Sequence, residues 1–359
     1  RFGPSAWAPV ALNLVTILLM ALFPGQALML TLAHVLGGAA QLAVQLPALR
    51  RGGLWPHLGR LWHPALGSLL VLMLPFAFTT SGRQLLNVVA SQVVTGISEG
   101  AATAFANADL FLSLMLGLFS ISPALAYYSR LSHHAARAPD LFAPTLLEGL
   151  RFITLLTVPA GLLLLVFAEH AVQLAFNWGS LLGSGLDELR LGLSVAASAP
   201  LGLAVFPLGL FNLLVRSFYL RRQVRLPVVI VLLALSLQGL LYREMAARWG
   251  IAGLSWASVL VAWLQLLATL SIVARREGVA LGAFAGYASR VWLAGGLAAL
   301  AAIGVLALEP WPPGWWRYLA QGVVGGGAFV AVYLNAGLAL GLDELRRVLA
   351  GLRPSGPGR

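Results

Sequence analysis

The 359-residue chain has no cysteine, no lysine and only 12 acidic residues. Without cysteine there is no disulfide framework and no thiolate metal site. Without lysine there is no phosphate-binding GxxxxGKS/T loop. HExxH is also missing, and no serine is expected to sit in a GxSxG elbow. Charge of any sign is scarce: 10% of residues are charged, against about 25% in an ordinary soluble chain. That is too little to cover a water-facing surface of this size, so a soluble enzyme is excluded. What is present is hydrocarbon, with 59% hydrophobic residues and a mean hydropathy of +0.87.

A membrane span takes roughly 20 mainly apolar residues. Ten such runs follow one another, at 7–24, 27–49, 65–97, 101–128, 150–168, 191–215, 227–242, 250–274, 288–308 and 318–342. The chain therefore reads as an all-α, polytopic membrane helix bundle. The third run is long for one crossing, and Pro75 and Gly82 are the places where it is expected to bend. Small residues recur inside the spans, as at Gly37–Ala40 and Gly325–Gly327, where they let helices approach closely in lipid.

All 23 basic residues other than histidine are arginine, and the formal net charge is +11. Their placement points to membrane orientation, not to nucleic acid. Loops after spans two, four, six and eight, with the C-terminal tail, hold fifteen arginines, among them Arg50, Arg51, Arg130, Arg221, Arg222 and Arg276. The opposite loops hold four: Arg190, Arg243, Arg248 and Arg317. The richer side is cytoplasmic by the positive-inside rule, which places the C-terminus inside. Loop 216–227 is expected to anchor that orientation and not to bind substrate. The outer loop 169–190 carries Glu169, Asp187 and Glu188. The chain opens on Arg1, with no signal peptide before the first span, and is read as lacking a preceding segment.

Polar residues inside the spans carry the functional signal, because they are costly there. Four stand out: Arg83 and Gln84 in span three, and Asn107 and Asp109 in span four. Measured from the turn at Ser98, Arg83 lies 15 residues deep and Asp109 lies 11. At 1.5 Å per residue those depths differ by about 6 Å, within reach of an arginine side chain. The residues leave two readings open: a structural ion pair between helices, or a polar cavity for an anionic ligand. His133 and His134 are adjacent, which makes a poor metal shell, and contact with lipid headgroups is the better reading. His170 and Asn177 fall in the outer loop without evident partners. No cofactor or metal is expected.

Several stretches resemble one family. The opening RFGPSAWAPVALNL, HVLGGAAQLAVQLPALRRGG (34–53) and ANADLFLSLMLGLFSISPALAYYSRLSHHAA (106–136) are similar to helices five, six and eight of the MurJ (MviN) lipid II flippases, within the MATE-like exporter superfamily. EGLRFITLLTVPAGLLLLVFAEHAVQLAFNWG (148–179), RSFYLRRQVRLPV (216–228) and GIAGLSWASVLVAW (250–263) follow in the same order.

The resemblance implies helices five to fourteen of a fourteen-helix, two-lobed flippase whose N-terminal lobe is here incomplete. Residues 1–63 would end that lobe, 64–276 would form the six-helix C-terminal lobe, and 277–359 would add two helices and a cytoplasmic tail. It also implies an undecaprenyl-diphosphate-linked precursor as substrate, alternating access without covalent chemistry, and the bacterial cytoplasmic membrane as location. Membrane lipids and proteins of cell-wall synthesis are the implied partners; nucleic acid is not. Two positions depart from the family pattern. The aspartate kept as Asp109 is followed by Leu110 where the family has a cavity-facing arginine, and Ala90 replaces a polar or acidic residue. Arg83 is then the expected stand-in for that arginine. The alternatives are another exporter of the superfamily and a divergent, non-transporting membrane scaffold.

Overall fold

The computed structural model of the chain describes residues 3–23, 26–51, 53, 67, 86–177, 187–308 and 311–352. Every regular element among them is helical. Seven helical stretches are long and apolar enough to cross a membrane, and one of them, Arg225–Glu277, holds two expected spans. This is a multi-pass membrane bundle.

The chain divides into two compact units, Arg1–Leu72 and Met73–Arg359. In the first, α1 (Gly3–Leu22) packs on α2 (Ala27–Arg51). Gly37 makes that contact close, since a Cβ there would lie 3.0 Å from the Leu12 carbonyl. Of the third apolar run, the described part is α3 (Leu86–Thr95); Pro75 and Gly82 lie outside the described residues.

In the second unit a turn at 96–100 leads into α4 (Ala101–Leu116), a π-helical turn (Gly117–Ile121) and α5 (Ser122–Arg137). Next come α6 (Phe142–Val166), short α7 (Ala168–Phe176) and α8 (Glu188–Leu220). The unit ends with α9 (Arg225–Glu277), α10 (Leu281–Leu306), α11 (Trp315–Ala339) and amphipathic α12 (Asp343–Leu352).

Helices α6 and α8 form the buried spine. Gly161 and Gly202 meet where they cross, so closely that a Cβ on either would overlap the other's carbonyl. Both helices contain internal proline, which removes an N–H and orphans the carbonyl four residues earlier. In hydrocarbon no water can satisfy that carbonyl. Neighbouring helices do so instead. Tyr333 of α11 donates to the Leu155 carbonyl freed by Pro159, at 2.7 Å. Trp263 of α9 donates through Nε1 to the Leu203 carbonyl freed by Pro207, at 3.2 Å.

Helix α9 is two arms joined at Gly250, whose φ of 57° and ψ of −139° break the helix. The arms fold back tightly: a Cβ on Gly253 would overlap the Met245 carbonyl. Between them Gln238 donates to the Tyr242 hydroxyl at 2.7 Å and to Ser258 at 2.9 Å, and Tyr242 and Ser258 are 3.0 Å apart. Two sequence expectations change here. Residues 243–249, read as a loop with Arg243 and Arg248, stay helical up to the turn. The expected outer loop 169–190 contains α7, too short to register as a span, which buries Ala168, His170 and Val172.

Candidate functional site

Helix α4 carries the two described site candidates, and helical geometry sends them different ways. Its buried stripe is Ala101, Ala104, Ala108 and Leu112, one residue per turn, and that stripe packs on α8. Asn107 sits beside it, half-buried, and donates to the Ser194 hydroxyl on α8 at 3.5 Å. Asp109 is two residues on, about 200° around the helix, and is exposed. Among the described residues it has no hydrogen-bond or ion-pair partner. Leu110, the position at which the resemblance led arginine to be expected, is 60% exposed and begins an open apolar stripe with Leu114, Leu118 and Leu125. Ser113, one turn after Asp109, is also exposed. Arg83 and Gln84 lie outside the described residues, so Asn107 and Asp109 are the only candidates the structure places, and it does not bring them together.

A polar node that sequence reasoning missed lies just beyond. In the π-helical turn Ser120 is fully buried; its hydroxyl donates to the Gly209 carbonyl at 2.9 Å and accepts from Asn212 at 3.2 Å. π-turns collect at functional sites because they break the regular backbone ladder. Ser120 and Asn212 were legible only as single polar residues within apolar runs.

Several other residues find structural partners. Residues 96–100 spell GxSxG, but among the described residues no strand precedes them and the Ser98 hydroxyl has no hydrogen-bond partner that could act as a base. His134 meets the Thr145 hydroxyl at 2.9 Å, and no group of metal-binding side chains occurs among the described residues. Arg221, expected to anchor the basic loop at the membrane surface, is bound to Glu277 at 2.6 Å and lies over the Phe142 ring at 4.2 Å. A second network runs from Arg130 through Glu148 and Arg347 to buried Glu344 and Arg151, tying α12 to α5 and α6.

His170 also has a partner. Its Nε2 lies 3.2 Å from Gln321 Oε1, while Gln321 gives its own N–H to the Leu306 carbonyl at 3.3 Å. Gln321 therefore accepts, Nε2 carries the proton, and Nδ1 is a buried lone pair without a partner among the described residues. The ring sits between Phe167 and Tyr318. Burial holds its pKa below the ordinary histidine value, outweighing the Gln321 hydrogen bond and nearby Glu169.

A family model described as lipid II flippase MurJ matches residues 1–319. The chain belongs to that family. Curated family members include the lipid II flippase MurJ of Burkholderia cenocepacia, 28% identical over 64% of this chain and 46% of its own length. The probable lipid II flippase MurJ of Vibrio cholerae is 29% identical over 74% of this chain and 51% of its own. The chain thus spans about half the length of the curated relatives it matches. A solved structure titled lipid II flippase MurJ, inward closed conformation, matches with a TM-score of 0.72 over 93% of this chain and 68% of that one, at 16% identity. It establishes the MurJ-type fold.

Proposed function

We propose that the chain works in a flippase that moves an undecaprenyl-diphosphate-linked peptidoglycan precursor across the bacterial cytoplasmic membrane by alternating access. The observation that carries this reading is the family match over residues 1–319. Residues 1–63 would belong to the first lobe, 64–276 would form the second, and 277–359 would supply the last two helices and a cytoplasmic tail. The arginine-rich loops and the C-terminus face the cytoplasm. No covalent step is needed. Cations shelter the diphosphate head, the tail stays in lipid, and rocking of one lobe exposes the head on the far side. Supporting the rocking step, α6 and α8 carry internal prolines at Pro159, Pro200 and Pro207, positions at which helices bend.

Arg83 is the proposed phosphate ligand, because its guanidinium binds phosphate oxygens through directed hydrogen bonds. Asp109 is its counter-ion when substrate is absent. Gln84 and Asn107 are assigned to the same cavity wall. The test is complementation of a flippase-depleted strain by the full-length gene. Arg83→Ala should abolish growth at normal expression, and Leu110→Arg in that background should restore part of it. Full growth with Arg83→Ala sinks this assignment. Exposed Leu110 favours a second reading, a non-transporting scaffold; failure of the unaltered full-length gene to complement, despite correct insertion, would select it.

A further inference from the structure

The α9 hairpin carries an apolar trough outside the polar site. Met245, Trp249, Ala252, Trp256, Leu260 and Trp263 line it, and its volume is about 680 Å³. Its wall on the second arm follows helical spacing: 252, 256, 260 and 263 fall on one face, and Ala252 is the smallest of these lining residues. From Ala252 to Trp263 the trough runs 11 residues, about 17 Å at 1.5 Å per residue. That is close to one leaflet, half of a hydrocarbon core about 30 Å thick.

The two ends differ. At the inner end Trp263 is fixed by its bond to the Leu203 carbonyl and stacked near Phe206 and Trp292, with centroids 5.3 and 6.1 Å away. At the hairpin tip Trp249 is exposed and Arg248 is its neighbour, also exposed. The tip bears Arg243, Glu244 and Arg248, so it is net cationic, and none of the three is ion-paired among the described residues. A trough one leaflet deep, inside a membrane-spanning segment, whose tip-end residue Trp249 directly follows exposed Arg248 in the chain, matches one kind of molecule in both length and charge.

We infer that the trough is a binding site for an anionic phospholipid of the leaflet at the hairpin tip. One acyl chain lies along Trp249, Trp256 and Trp263, and the phosphate sits at Arg248. A polyprenyl chain is too long for a site that stops at the Trp263 cluster, and a zwitterionic lipid gains less from the cation.

Native mass spectrometry on the purified full chain tests this, using phosphatidylglycerol and phosphatidylcholine with identical acyl chains. Phosphatidylglycerol should be retained about fivefold better, the preference that one interfacial arginine supplies. Arg248→Gln should bring the ratio close to one. Trp256→Leu should lower retention of both lipids severalfold. Ala252→Leu, which fills the trough and leaves its walls intact, should do the same, so a loss cannot be ascribed to a collapsed wall. Trp316→Ala, an exposed indole on α11, should change nothing. Unchanged retention in Ala252→Leu and Trp256→Leu overturns the proposal, as does an anionic preference that survives Arg248→Gln. Displacement of phosphatidylglycerol by undecaprenyl phosphate at equal concentration also overturns it, because the trough would then hold the longer chain.

Discussion

Helices α6 and α8 are largely buried, whereas α4 and α5 show most of their surface to the surroundings. The buried pair contains Pro159, Pro200 and Pro207, and the exposed pair has proline only at the start of α5. Depth explains the difference. A proline orphans a carbonyl, and only a helix with close neighbours can find it a donor in hydrocarbon. Tyr333 and Trp263 are those donors. The exposed pair keeps its backbone ladder apart from one π-turn, and there buried Ser120 meets half-buried Asn212 of α8 at the irregularity. In this buried pair the carbonyls freed by Pro159 and Pro207 lie where tertiary partners exist to close them.

The sharpest way to break that contrast is at the α6–α8 crossing. Gly202→Leu puts a side chain into the Gly161 carbonyl, and overpacking there should cost about 3 kcal/mol. Thermal unfolding in detergent should show a large drop or loss of folded protein, whereas Gly117→Leu, where a Cβ meets nothing within 4 Å, should sit near the parent.

A smaller effect is expected at the freed carbonyls. Tyr333→Phe removes one donor and leaves the Leu155 carbonyl unpaired, for about 1–2 kcal/mol. Ser113→Ala on the exposed face of α4 should stay within about 0.5 kcal/mol. Equal shifts in the two variants would mean that burial does not decide where polar bonds count.

The smallest effect concerns pH. The folded-state pKa of His170 is depressed, so the unfolded chain takes up the proton first. The contribution of this contact is present above the unfolded value of about 6.5 and is lost as pH falls through the lower folded value. Protonation puts a hydrogen on Nδ1, which is buried without an acceptor. The melting temperature should therefore fall between pH 7.5 and pH 5, and His170→Gln should flatten that slope. An unchanged slope would mean that acid acts elsewhere.

Much of the architecture was legible in composition. Scarce charge and ten apolar runs fix a membrane bundle, because backbone in hydrocarbon must satisfy itself as helix. The turn near Ser98–Gly100 was readable, since glycine and polar residues interrupt the apolar runs there, whereas the break at Gly250 fell at the end of a stretch read as loop. The six matching stretches led to the family that the comparison shows over residues 1–319. Helix α7 was not legible, because nine residues carry no span-length signal.

The sequence by itself determined that this chain crosses the membrane repeatedly, since transfer from water to hydrocarbon acts residue by residue. Only the tertiary structure decided what each polar group does. It set Asn107 toward Ser194 and Asp109 outward, tied Arg221 to Glu277, and gave His170 to Gln321. Those outcomes depend on which helices meet and at what rotation, and hydrogen bonds are directional while hydropathy is not.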